Sequence, residues 1–246
     1  MFPLHDDNPT QLFPVVTLGV MAACVAVWVF AQGAGLDPEV LQSSVCAFGA
    51  IPAEVTGSAG AWTTGPCRAG GLSWQGLVTS MFLHGSWLHL IGNLWFLWIF
   101  GNNVEDSMGH LRFVVFYGLT GVVAALAHVA VEPSSTAPMV GASGAISAVM
   151  GAYLLLYPRA RVHTLFWFLF FARVVPLPAW IILGYWFVIQ LASLGVGGGG
   201  VAYAAHVGGF VAGLVLIRIF SNPRLVSAKR RGVVLLPGER AGGGWW

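Results

Sequence analysis

The chain has 246 residues, of which 57% are hydrophobic and only 8% are charged, and its mean hydropathy is +0.78. Soluble domains carry roughly 25% charged residues, and a soluble chain of this length has no core large enough to hide so much apolar surface, so the solvent this sequence predicts is a bilayer. The net charge of +2 and the lack of a basic–aromatic surface stripe argue against nucleic acid as a partner.

With ~20 residues needed per crossing, six apolar runs are predicted to span. They are Phe13–Ala31, Leu88–Ile99 (extended at both ends by tolerable residues), Phe113–Val131, Val140–Tyr157, Ala179–Leu194 and Ala202–Phe220. The first run follows Asp6 and Asp7 with no Lys or Arg before it, so it is expected to be an uncleaved span rather than a signal peptide. The apolar stretch His163–Pro178 is short and holds Arg173 and two prolines, and it reads as an interfacial or re-entrant connection. The expected organisation is a cytoplasmic N-terminal segment at 1–12, a membrane domain at 13–221 with a long external loop at about 32–82, and a flexible basic, Gly-rich cytoplasmic tail at 222–246.

Orientation follows from the basic residues. With both termini inside, only Arg68 of the 11 Lys and Arg falls outside, so the positive-inside rule predicts an N-in/C-in chain. Cys46 and Cys67 then lie in the external loop, where a disulfide is expected in an oxidising exterior, while Cys24 packs inside the first span.

Polar residues inside spans are costly and each asks for a reason. In "FLHGSWLHLIGN", His89 and Asn93 stand at i and i+4 on one helical face, and His84 lies five residues before His89, off that stripe. The spacing is wrong for a metalloprotease pair and the span offers no carboxylate between the histidines, so no metal is assigned. In "GASG", Ser143 sits among Gly141, Gly144 and small residues that also suit close helix packing. In "YAAHVGGFVAG", Gly209 and Gly213 form a small-xxx-small face one turn after His206.

Taken together these clusters point to chemistry. Ser143 and His206 lie near the outer ends of their runs, and the Gly209/Gly213 face lets the last helix approach the fourth. A neutral imidazole can serve as base for a serine nucleophile. Asn93, His89 and the Ser143 N–H at a helix start can stabilise an oxyanion, and Gly141 and Gly144 leave room for a substrate backbone. No acidic residue stands in a span interior to orient His206, so a dyad is expected.

The ordered motifs "HGSWLHLIGN", "GASG" and "AHVGGFVAG", with "GNNVEDSMGHLRFVVFY" between the first two, resemble the bacterial rhomboid intramembrane serine proteases over Thr79–Leu216. The resemblance implies an all-α, six-transmembrane-helix bundle in a bacterial plasma membrane. It implies Ser143 as nucleophile, His206 as base, Asn93 and His89 as oxyanion stabilisers, and His84 as their support. It also implies a transmembrane protein substrate cut near its outer end, no cofactor, and a mobile cap formed by "LGVGGGGVAY". Two positions depart from the family pattern. Ser147 stands where an aromatic commonly follows the serine by one turn, and "SWQGLVTS" lacks the usual arginine. A rhomboid-like pseudoprotease that binds membrane clients is the alternative, though it would be expected to have lost Ser143, His206 or Asn93. A transporter would be expected to show an acidic relay or an inverted repeat, and neither is evident.

Overall fold

A computed structural model describes residues 1–58, 67, 74–168, 171–196, 200–231 and 233. Arg68, Gly197–Gly199 of the glycine linker, and the tail from residue 234 lie outside the described residues.

In chain order the elements are strand β1 (Phe2–Asp6), helix α1 (Val15–Ala26, continued by a π-turn over Val27–Ala31), and the short helices α2 (Pro38–Phe48), α3 (Pro52–Val55) and α4 (Gly76–Thr79) of the expected external loop. Then come α5 (Trp87–Met108), α6 (His110–Val131), α7 (Ser143–Leu156), strands β2 (Arg161–Phe168) and β3 (Phe171–Pro178), α8 (Ala179–Val196), α9 (Tyr203–Phe220) and α10 (Pro223–Arg230). The described residues are mostly helical, at 67% helix.

Among the described residues, α6 and α9 are long and apolar enough to cross a membrane by length and composition, and Val15–Ala31, Ser143–Leu156 and Ala179–Gly195 form shorter apolar helices. Their outward faces are apolar too. Leu88, Val215 and Ile219 are 82%, 60% and 74% exposed, an arrangement that suits lipid rather than water.

Helix α7 sits at the centre, against α5, α6, α8 and α9. Its seam with α9 is made by glycine. A Cβ on Gly209 would strike the Gly144 carbonyl oxygen, one on Gly213 the Ala148 carbonyl oxygen, and one on Gly151 the Phe210 carbonyl oxygen. Apolar burial drives little between helices in lipid, so this backbone-to-backbone approach supplies the van der Waals contact that holds α9 on α7. The large buried rings of Trp28, Phe100, Phe113, Phe116, Tyr153 and Phe210 fill the rest of the interior.

Carboxylates near the C-terminal end of α5 fasten the first helix. Glu105 accepts from the backbone N–H groups of Val16 and Thr17 and from the Thr17 hydroxyl, at 3.0, 2.8 and 2.7 Å. It thereby caps a helix whose own preceding residue, Pro14, provides no side-chain cap. Asp106 accepts from the N–H groups of Gln11 and Leu12 at 3.0 and 2.8 Å.

The structure corrects the all-α expectation. β1, β2 and β3 form an antiparallel sheet in that order, so His163–Pro178, expected to be an interfacial or re-entrant connection, lies mostly in the paired strands β2 and β3. Its β-branched and aromatic residues favour strand, and the prolines of β3 lie on an edge strand, where a missing N–H leaves no ladder bond unmade. The segment at 222–246, expected to be a basic tail, opens with α10. Asn222 accepts from the Arg224 N–H at 3.0 Å, Pro223 occupies the first helical turn, and Lys229 reaches Asp106 at 2.9 Å.

Candidate active site

Ser143 is the first residue of α7, so its backbone N–H has no partner within the helix. The chain enters through Gly141 at φ +128°, a conformation that strains any residue with a side chain. A Cβ there would also lie 2.7 Å from His89 Nε2, so the glycine lets the loop before the serine pass directly over the His89 ring.

His206, on the first turn of α9, points Nε2 at Ser143 Oγ across 2.7 Å. The α7–α9 glycine seam makes this distance possible, because Gly144 lies against Gly209 one turn below. Gly144 and Gly209 therefore pack the two helices, and Gly141 and Gly144 both line the cavity beside the serine. The other imidazole nitrogen, Nδ1, lies 2.7 Å from Gln190 Oε1 on α8. An amide oxygen can only accept, so this bond places the ring proton on Nδ1 and leaves Nε2 free to accept from the serine hydroxyl. The indole of Trp186, one turn earlier on α8, lies 5.8 Å from the His206 ring. Ser147 takes no part on this side, since its hydroxyl donates to the Ser143 carbonyl oxygen at 2.6 Å.

Opposite the pair stand the donors of α5. Asn93 is buried, and its Nδ2 has no hydrogen-bond partner among the described residues. A buried amide normally finds an acceptor, so this one has a donor to spare. His89 Nδ1 accepts from the Gly85 N–H at 3.4 Å, which leaves its Nε2 as the donor. His84 is fully buried with its ring edge-on to His89 at a centroid distance of 5.2 Å. Its backbone N–H and C=O are both tied to the Gln32 side chain, at 2.8 Å each. A cavity of about 510 Å³ is lined by Ser143, His206, Asn93, His89, Gly141 and Trp186.

Among the sulfurs, Cys46 and Cys67 are joined in a disulfide with their Cα atoms 5.3 Å apart, and Cys24 is buried and free.

Sequence reasoning missed Gln190, Trp186 and Gln32. A glutamine inside an apolar run is a signal of the same kind as Asn93, because it too is a polar group in a costly place.

Comparison with known proteins places the chain in a family. The Rhomboid domain family matches residues 71–223, well over half of the chain. The chain is 31% identical over 147 residues to the rhomboid protease GlpG of Yersinia pseudotuberculosis, covering 56% of this chain and 45% of that protein. It is 32% identical over 180 residues to rhomboid-like protease 5 of Toxoplasma gondii, covering 71% of this chain and 19% of the relative. It is 29% identical over 143 residues to rhomboid protein 1, mitochondrial, of Saccharomyces cerevisiae, covering 56% and 40%. The chain thus spans less than half the length of each of these relatives. It belongs to the rhomboid family of membrane proteins.

Proposed function

We propose that the chain is an intramembrane serine endopeptidase that uses Ser143 and His206 as a dyad to cut transmembrane protein substrates near the outer ends of their helices. The observation that carries this reading is the 2.7 Å approach of His206 Nε2 to Ser143 Oγ, beside an Asn93 Nδ2 with no partner among the described residues.

In the proposed reaction His206 Nε2 takes the hydroxyl proton as Oγ attacks the scissile carbonyl. The oxyanion receives hydrogen bonds from Asn93 Nδ2, His89 Nε2–H and the Ser143 N–H. Collapse breaks the C–N bond, and the imidazolium returns its proton to the leaving amine. Water, activated by the same nitrogen, then hydrolyses the ester, releases the acid and restores the serine. No cofactor enters. Gln190 holds the tautomer throughout, and His84 braces the ring of His89.

The same reading takes α1, α5, α6, α7, α8 and α9 as six spans with both termini inside a bacterial plasma membrane, and the disulfide-bearing loop outside. Helix α7 has 14 residues, so at 1.5 Å per residue it is about 21 Å long, short of a ~30 Å hydrocarbon core. A short helix whose inner end is level with its neighbours sets Ser143 below the outer surface. A substrate helix must then unwind to reach it, since a regular helix keeps its peptide groups bonded to each other.

The test is labelling of the purified chain in detergent with a serine-directed fluorophosphonate, followed by cleavage of a transmembrane substrate in vesicles. Wild type is expected to label and cleave. Ser143→Ala and His206→Ala are expected to lose at least ~10⁴-fold in rate, as removal of either half of such a pair does elsewhere. Unlabelled but folded wild type that still binds membrane clients would overturn the reading in favour of a pseudoprotease.

A further inference from the structure

The inner sheet carries a cluster that the proposed protease chemistry does not use. Side chains alternate between the two faces of a strand, so His5 and Asp7 share one face of the N-terminal segment while Asp6 points to the other. Across the ladder, His5 pairs directly with His163 of β2, which places the second imidazole on the face of His5 and Asp7. The Asp7 N–H continues the ladder with a bond to the Arg161 carbonyl oxygen at 2.9 Å. The two imidazoles stack with centroids 4.3 Å apart, and His163 Nε2 lies 2.9 Å from Asp7 Oδ1. One donor atom from each of the three residues lies within 4.8 Å of the other two.

We infer that His5, Asp7 and His163 form a binding site for a divalent transition-metal ion of the Zn²⁺ type on the solvent face of this sheet. Two imidazoles and one carboxylate suit a borderline ion, whereas Mg²⁺ and Ca²⁺ prefer oxygen throughout. Bond lengths of ~2.0–2.2 Å put tetrahedral donors roughly 3.3 Å apart, so no pair in the cluster need close by more than about 1.5 Å. His5 and Asp7 are exposed and His163 is half-buried, and rotation about their χ angles supplies that movement without shifting the strands. Three protein ligands leave the remaining coordination to water.

The site would act as a staple. Asp6, between two of the ligands, faces inward, where the Tyr153 hydroxyl and Asn103 Nδ2 donate to its carboxylate. Tyr153 belongs to α7, the helix that starts at Ser143. An ion on the outer face therefore pins the strand that anchors the inner end of the candidate nucleophile's helix. The inference is independent of whether the serine is active.

The test is isothermal titration of the full chelator-stripped chain in detergent with Zn²⁺ alone. Wild type is compared with His5→Ala, Asp7→Asn, His163→Ala and His163→Gln, and His110→Ala controls for an exposed imidazole elsewhere. Thermal melting confirms that each variant is folded, and His163→Gln keeps a long side chain on the strand if the alanine form does not fold. One ion per chain is expected, bound at least ~10-fold more weakly in each ligand variant and unchanged in His110→Ala, because loss of a ligand costs at least as much as loss of a group that merely orients one. No uptake by wild type, or equal uptake by all folded variants, would overturn the site.

Discussion

Gln190 Oε1 and His206 Nδ1 lie 2.7 Å apart, on the side of the ring away from Ser143. The proposed base is thus held by an amide from the neighbouring helix rather than by a carboxylate or by an aromatic one turn after the serine. The Trp186 indole lies 5.8 Å from the ring and tilted to it, so an aromatic neighbour of His206 comes from α8 rather than from the Ser147 position. Removing the acceptor with Gln190→Met is expected to lower kcat about 10- to 100-fold and leave KM nearly unchanged. That is less than loss of a triad carboxylate, because an amide orients without supplying charge. Gln190→Glu retains an acceptor and is expected to keep more activity than Gln190→Met. Steady-state cleavage in vesicles checks both, and equal activity of wild type and Gln190→Met would sink the orienting role.

Asn93 Nδ2 is buried with no hydrogen-bond partner among the described residues, and in the proposed reaction it donates to the substrate oxyanion. Asn93→Ala is expected to cut kcat by about 10²- to 10³-fold with little change in KM, because the bond is made chiefly in the transition state. Labelling rates with a fluorophosphonate should fall in parallel. A loss confined to KM would instead make Asn93 a substrate-binding residue.

The α7–α9 seam has no space for side chains. Gly213→Ala places a methyl group on the Ala148 carbonyl oxygen, and Gly209→Ala does the same at Gly144. Each is expected to destabilise the fold by about 1–3 kcal/mol, the usual cost of overpacking. Each is also expected to reduce activity, since the seam sets the Ser143–His206 distance. Gly118→Ala on α6 meets nothing within 4 Å and serves as the control, expected within about 0.5 kcal/mol of wild type. Denaturant titration in mixed micelles reads all three.

Burial pushes the Asp6 carboxyl up to about 6, although the Tyr153 hydroxyl and the Lys229 ammonium both pull it down. A carboxyl raised on folding binds more protons in the folded than in the unfolded state between about pH 4 and pH 6. Its contribution to stability is therefore largest below about pH 4, declines as pH rises to about 6, and is level above that. Asp6→Asn is expected to remove this slope from a series of melting curves between pH 4 and pH 8. An unchanged slope would place its origin in another group.

Much of the helical frame was legible because a bilayer writes a strong one-dimensional signal. A run that faces lipid must be apolar, so α1, α6, α8 and α9 begin and end within a few residues of the runs read from hydropathy. The candidate nucleophile, base and oxyanion donors were legible for the complementary reason, as polar groups in places where polarity is expensive. The sheet was not legible. The hairpin is as apolar and aromatic as a span, and its decisive partner, β1, lies far away in the chain.

Sequence alone determined which residues lie in the apolar segments and which polar ones stand out there, because both follow from composition along the chain. Tertiary structure decided which of those residues meet. The Ser143–His206 contact depends on glycines that let two backbones touch, and the Gln190–His206 bond on how α8 lies against α9. The His5–His163 pairing depends on strand register. Each is a distance between points remote in the chain, and hydropathy, which reports each residue's preferred surroundings, carries no record of its neighbour.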